Sequence, residues 1–158
     1  MLYDCYKTNF SYKESLFNSK WLSKFMNCFF FKGQKIKIEL LVYNSFFLLK
    51  KFLNTNGLLL LFETLEKLKP WIGLKLKIGK KQKKVQAYPI ILTSNIQYTK
   101  AIYWLIKSIQ IRKEKNFSVR MCNEISCVIF TQITNSLKKK QEYYNYAVSF
   151  KSINKFKW

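Results

Sequence analysis

Leu74-Lys75-Leu76-Lys77-Ile78-Gly79-Lys80-Lys81-Gln82-Lys83-Lys84, followed by Val85-Gln86-Ala87-Tyr88-Pro89-Ile90-Ile91-Leu92, breaks the helical periodicity that surrounds it. The first five residues alternate apolar with cationic side chains. A strand with that pattern turns its leucines and isoleucine to one face and both ammonium groups to the other. Gly79 opens a turn-prone, densely basic connection, and a second extended run follows from Val85. The stretch therefore predicts a two-stranded ribbon over residues 71–92 with a cationic tip. It lies within a longer segment, Lys67 to Lys113, which holds twelve Lys or Arg residues in 47 positions and no Asp or Glu. Ammonium groups packed so densely repel one another, which makes a polyanion the natural partner.

The rest of the chain has the same bias. Its 158 residues suffice for one domain with a core, and are too few for two. A net charge of +21 accompanies 49% hydrophobic and 18% aromatic residues, whereas a disordered basic tail lacks the apolar part. Eight acids against twenty-nine bases do not make the mixed-sign surface that solubility alone requires. Nucleic acid is thus favoured as partner over an anionic membrane surface. No bilayer span is expected: the longest uncharged run near the N-terminus, Leu40 to Leu49, has ten residues, about half of what a helix needs.

Enzyme chemistry finds little support. There is no histidine, hence no His-based nucleophile pair, and only four glycines with no phosphate loop among them. Glu63 and Glu66 lie one helical turn apart and read as a solvated helix face. Cys5, Cys28, Cys122 and Cys127 form no CxxC pair, so they are expected as small buried apolar side chains in a reducing compartment. The expectation is no catalytic residue, no metal site, no cofactor and no small-molecule substrate.

Residues 1–17 lack periodicity and read as an extended arm, without the Arg-rich pattern of an organelle import signal. From Asn18 onward the pattern predicts a single helical domain over 18–158. A first helix carries Trp21, Leu22, Phe25, Met26, Phe29 and Phe30, ended by Gly33 in a left-handed cap. A second runs from about Lys35 to Asn54 around Leu40, Leu41, Phe47 and Leu48, and Asn54-Thr55-Asn56-Gly57 breaks it. A third, Leu58 to Lys69, bears Leu58, Leu61, Phe62, Leu65 and Leu68, and Pro70 stops it. After the ribbon, Ser94 or Asn95 caps a fourth helix with Tyr98, Ile102, Leu105, Ile106 and Ile109 inward. A fifth buries Met121, Cys122, Ile125, Val128, Ile129 and Ile133, and Asn135-Ser136 separates it from a sixth. There Lys138-Lys139-Lys140 precedes a stripe of Tyr143, Tyr146, Ala147, Phe150 and Ile153. The predicted fold is mainly α: a six-helix bundle with one two-stranded β-hairpin between the third and fourth helices.

At this point the chain resembles a known family, that of the seventh protein of the small ribosomal subunit in its bacterial and organellar form. Lys24-Phe25-Met26-Asn27, then Gly33-Gln34-Lys35, is similar to the family's Lys-Phe-x-Asn followed by Gly-Lys-Lys, with Tyr43 at the usual tyrosine. Phe62-Glu63 leading to Lys69-Pro70 resembles its third helix and Arg-Pro exit. Trp104-Leu105 stands where the family has Arg-Trp-Leu, and Arg120-x-x-Asn123-Glu124 resembles a further signature. Lys138-Lys139-Lys140, Ala147 and the closing Lys155-Phe156-Lys157-Trp158 keep the family's spacing. The departures are a hairpin tip that has lost paired glycines and gained lysines, and Ile96, Gln97 and Tyr103 where the family has arginines.

The resemblance implies a structural protein that binds the 3′ major domain of small-subunit ribosomal RNA, nucleates head assembly and lies near the transfer-RNA exit site. Its implied partners are that RNA, neighbouring head proteins, and exit-site transfer RNA and messenger RNA. The candidate phosphate contacts are Lys20, Lys24, Lys32, Lys35 and Lys37, the ribbon's Lys75, Lys77, Lys80, Lys81, Lys83 and Lys84, then Lys138, Lys139, Lys140, Lys155 and Lys157. Only Arg112 and Arg120 among the bases are arginine, and Lys, Asn, Ile and Phe are heavily used. This bias suggests an AT-rich coding genome and a mitochondrial ribosome, ahead of a plastid-type organelle or a bacterial cytoplasm. Two other classes remain at this stage. A DNA-binding protein needs a base-reading recognition helix, and a peripheral membrane protein one strongly amphipathic basic helix; neither pattern stands out.

Overall fold

The computed structural model describes residues 19–29, 33–78, 85–131 and 133–151, with backbone alone at 76–78, 85–88 and 150–151. Six helices and one hairpin occupy them: α1 (Lys20–Cys28), α2 (Lys35–Leu53), α3 (Gly57–Leu68), β1 (Ile72–Ile78), β2 (Val85–Ile91), α4 (Ser94–Ile111), α5 (Phe117–Phe130) and α6 (Asn135–Lys151). The mainly helical architecture, with its hairpin between the third and fourth helices, is as the sequence predicts. The arm at 1–17 lies outside the described residues.

Local chemistry explains most boundaries. Ser19 caps α1 by accepting from the Leu22 N–H at 3.3 Å, and the Asn56 side chain accepts from the Leu58 N–H at 3.1 Å to start α3. Asn54 ends α2 in the left-handed region at φ 53°, its N–H returning to the Lys50 carbonyl at 3.0 Å. Pro70 forces Lys69 out of the helical region, to ψ 129°.

Three boundaries differ from expectation. Gly33 does adopt a left-handed φ of 76°, yet α1 already ends at Cys28, so the glycine leads into α2, where its carbonyl accepts from the Lys35 N–H. The N-cap of α4 is Thr93, because its carbonyl already accepts from Ile96 and Gln97 and closes the first turn one residue early. Asn135 and Ser136 open α6 and do not separate it from α5. The buried Ser136 hydroxyl is held by Glu124 at 2.9 Å and meets the Thr134 hydroxyl at 2.8 Å, which draws Ser136 into the helix.

The core gathers Leu22, Phe25 and Met26 of α1, Val42, Phe46 and Leu49 of α2, Leu60, Leu61, Leu65 and Leu68 of α3, Ile102, Leu105 and Ile109 of α4, and Met121, Ile125 and Val128 of α5. On α2 this corrects the expected face: Leu40 and Phe47 are exposed, and Leu41 and Leu48 half-buried. From Leu40 to Leu49 the helix carries no charge, so its periodicity names no side, and packing against α5 selects one. The Ser118 hydroxyl there donates to the Leu41 carbonyl at 3.0 Å, and the Ser45 hydroxyl lies 3.1 Å from the Met121 sulfur. Leu58 and Phe62 are half-buried rather than central on α3. Ile133, past the end of α5, is exposed, as is Tyr146 on α6, while Ala147 is buried. Phe30, Phe150 and Ile153 have no described side chains. Of the cysteines, Cys122 is buried, Cys127 half-buried and Cys28 exposed against expectation, because α1 turns its Leu22, Phe25 and Met26 face inward; Cys5 lies outside the described residues.

Gly57 brings α2 and α3 together: a Cβ there would stand 2.8 Å from the Phe46 Cβ and 2.9 Å from its Cα. The hairpin pairs antiparallel, with Leu74 opposite Pro89. Proline brings no N–H to the ladder, and on the facing strand the Leu74 N–H donates to the Tyr143 hydroxyl of α6 at 3.1 Å. The Trp71 N–H likewise reaches the Tyr144 hydroxyl at 3.0 Å, so α6 clamps the base of the ribbon.

Candidate nucleic-acid interface

Of the six described carboxylates, Glu39, Glu66, Glu114 and Glu124 are engaged by the fold, while Glu63 and Glu142 are exposed. Glu39 and Glu124 are buried. Glu124 accepts from the Ser108 hydroxyl at 2.5 Å, the Ser136 hydroxyl at 2.9 Å and Arg112 Nε at 2.8 Å. Glu114 is held by Arg112 at 3.0 Å and by the Asn123 amide at 3.2 Å. Glu66 pairs with Lys69 and accepts from the Tyr98 hydroxyl. What remains outside is a lysine surface with few opposing charges, and on it lysines alternate with aromatic rings.

One such face joins α1, the start of α4 and the base of the ribbon. Lys20 and Lys24, one turn apart on α1, reach the start of α4, Lys20 donating to Asn95 Oδ1 at 3.3 Å and Lys24 to Thr99 Oγ1 at 2.6 Å. Both ammonium groups stand by the Trp21 ring, at 5.3 and 5.8 Å from its centroid. Trp21 packs on Tyr98 with centroids 4.2 Å apart, and Lys69 sits 5.4 Å from the Tyr98 centroid and 5.8 Å from that of Trp71. Beyond it, Lys100 donates to the Tyr143 hydroxyl and lies 4.1 Å from that ring's centroid, and Tyr143 in turn packs on Trp104 at 5.5 Å. Farther along α4, Lys107 lies over the exposed Tyr103 at 4.5 Å.

The lysines expected from sequence are placed unevenly. Lys20 is exposed and Lys24 half-buried on this face. Lys35 and Lys37 stand exposed in the first turn of α2, Lys35 at 4.0 Å from Glu39. Lys75 is exposed on β1, and Leu74 beside it is half-buried. Lys138 is exposed and Lys139 half-buried at the start of α6. Lys140 is half-buried, donates to the Lys67 carbonyl at 2.5 Å at the end of α3, and has its pKa pushed down by burial. The side chain of Lys77, and all of Lys32, Lys80, Lys81, Lys83, Lys84, Lys155 and Lys157, lie outside the described residues. Sequence reasoning missed Trp21, Lys69, Trp71, Tyr98, Lys100, Tyr103 and Lys107. An aromatic ring three or four residues from a lysine on one helix, as in Tyr103 and Lys107, is the signal that could have found part of the set.

The paired carboxylates predict a pH dependence. Hydrogen bonds from Lys69 and then Tyr98 hold the Glu66 carboxyl below the usual range; its own backbone N–H and then Asn123 do the same for Glu114. A carboxyl depressed in the folded state binds its proton more readily when unfolded. The stability it contributes is therefore complete above the unfolded pKa, about 4.3, and is lost as pH falls through the folded value. The thermal midpoint should hold down to about pH 4.5 and fall below it, and E66Q should lose less than the wild type over that window. An equal loss in both proteins would show that the Glu66 pair contributes nothing.

The model of the family described as Ribosomal protein S7p/S5e matches residues 4–151. Among curated relatives, the small ribosomal subunit protein uS7 of Wigglesworthia glossinidia brevipalpis is 31% identical over 142 residues, covering 89% of this chain and 88% of the relative. The uS7 protein of Mycoplasma mycoides subsp. mycoides is 26% identical over 146 residues, or 92% of each chain. That of Mesomycoplasma hyopneumoniae is 27% identical over 146 residues, 92% of this chain and 91% of the relative.

Proposed function

The chain belongs to the ribosomal protein S7p/S5e family, non-enzymatic structural constituents of the small ribosomal subunit, and from that premise we propose that it binds the 3′ major domain of small-subunit ribosomal RNA. In this reading it nucleates assembly of the subunit head with neighbouring head proteins and stands beside the exit-site transfer RNA and the messenger. Residues 18–158 act as one RNA-binding domain behind an N-terminal arm. The observation that carries the reading is the engagement of Glu39, Glu114 and Glu124 within the fold, which leaves lysines in large excess over acids on an aromatic-studded surface.

The helix starts add to it. None of the helices α1 to α6 carries an acid in its first turn, while α1, α2 and α6 open with Lys20, Lys35 and Lys37, and Lys138. Cations at helix N-termini oppose the macrodipole, and a phosphate placed there relieves both. Lys20, Lys24, Lys32, Lys35 and Lys37, with the lysines of the ribbon, the start of α6 and the chain end, are the phosphate contacts in this proposal, gripping shape and charge rather than base sequence. No cofactor enters it.

Binding of the purified protein to small-subunit RNA across a salt series tests this. Each neutralised phosphate should add roughly 0.7 to 0.9 to the log–log slope. Affinity nearly independent of salt would overturn it, as would sedimentation of the native protein apart from small subunits. The location is ribosomal. The lysine-rich, arginine-poor composition favours the mitochondrial matrix, and the bacterial relatives keep a bacterial cytoplasm in play; recovery of the protein from purified mitochondria distinguishes the two.

A further inference from the structure

Trp71 is 64% exposed, and yet its backbone is held on both sides. Its N–H donates to the Tyr144 hydroxyl at 3.0 Å and its carbonyl accepts from the Leu92 N–H at 3.1 Å. The buried Pro70 precedes it, and two residues on, Gly73 packs so closely that a Cβ there would lie 2.3 Å from Leu92 Cδ2. The indole is thus a large apolar plane left in water on a fixed mount, at the junction of α3 and the ribbon. Ordering its backbone costs nothing further on binding, because the fold has already done so. Lys69 stands 5.8 Å from its centroid, and the exposed Lys75 lies four residues along the strand, about 13 Å of rise away.

We propose that Trp71 is a stacking platform for one unpaired nucleobase of the ribosomal RNA, with Lys69 and Lys75 against the flanking phosphates. This rests on the RNA-binding reading above. A flat π-face with basic side chains near it is the combination that holds single-stranded bases without reading their sequence. Ile72 and Ile91, exposed and paired across the hairpin, add apolar surface at the base of the ribbon, so a neighbouring protein is the competing occupant. The exposed Lys75, with Lys69 shared between Glu66 and the ring, favours RNA.

The test compares Trp71→Ala, Trp71→Leu and Trp71→Phe for affinity toward a transcript of the 3′ major domain of the source's own small-subunit RNA, with thermal midpoints confirming that each variant folds. Alanine and leucine should lower affinity about 10- to 100-fold, phenylalanine by no more than roughly threefold. The salt slope should not change, since no phosphate contact is removed. If alanine and leucine bind as tightly as the wild type, with the steep salt dependence intact, the stack is wrong and the RNA-binding reading stands. If leucine restores what alanine loses, the ring serves an apolar contact, and the proposal is overturned in favour of a protein or sugar surface. A wild-type protein that does not bind the transcript at all overturns the underlying reading as well.

Discussion

Replacing Glu124 with alanine should lower the unfolding free energy by about 3 to 5 kcal/mol, the usual cost of removing one partner from a buried charged cluster. The Glu124 side chain is 3% exposed and receives three hydrogen bonds, so its removal orphans more than one group. The hydroxyls of Ser108 and Ser136, both fully buried, would be left without their carboxylate acceptor, and the Arg112 guanidinium would lose its buried ion pair while keeping Glu114. These residues come from α4, α5 and α6, so the cluster joins three helices. E124Q keeps the shape and an oxygen acceptor, and should cost less, about 1 to 3 kcal/mol. Urea unfolding with an unchanged m-value measures both. An alanine variant within about 0.5 kcal/mol of wild type would show that water replaces the carboxylate and that the cluster is not structural. Asn123 and Glu124 of the Arg120-x-x-Asn123-Glu124 motif thus have a packing role, one binding Glu114 and the other Arg112.

The hairpin tip should behave in the opposite way. Replacing Lys80, Lys81, Lys83 and Lys84 together with alanine removes four charges and no core side chain, so the free protein's thermal midpoint should stay or rise slightly as repulsion is relieved. Affinity for small-subunit RNA should fall by roughly 10²- to 10³-fold at moderate salt if all four meet phosphates, and the salt slope should shrink by about one unit for each phosphate no longer neutralised. An unchanged affinity and slope would assign the tip to another role, such as holding transfer RNA or a neighbouring protein.

Much of the fold was legible because the chain punctuates itself. Asn54, Asn56 and Pro70 end or begin helices through their own local chemistry, a left-handed backbone, a side-chain cap and a missing N–H, whatever surrounds them. The alternation of Leu74 to Ile78 demanded a strand, and the charge-free side of α4 named Ile102, Leu105 and Ile109 as core. These signals are local: a cap, a ring closure or a period of two acts within a few residues. The excess of lysine over acid, with no histidine and no phosphate loop, likewise pointed to a polyanion and away from catalysis without any fold.

The inward face of α2 was decided elsewhere. Phe46 is buried and Phe47 exposed, a distinction that an uninterrupted apolar run cannot make and that packing against α3 and α5 does. Lys140 looks like its neighbours in sequence, but it bonds the end of α3 because the start of α6 lies against that helix. The face joining Lys24, Trp21, Tyr98, Lys69 and Trp71 draws on α1, α4, the end of α3 and the base of the ribbon. Composition and periodicity determine which segments form and what charge they carry. Which side chains meet across tens of residues is decided only when helices dock, because burial and pairing energies belong to the contact and not to either segment alone.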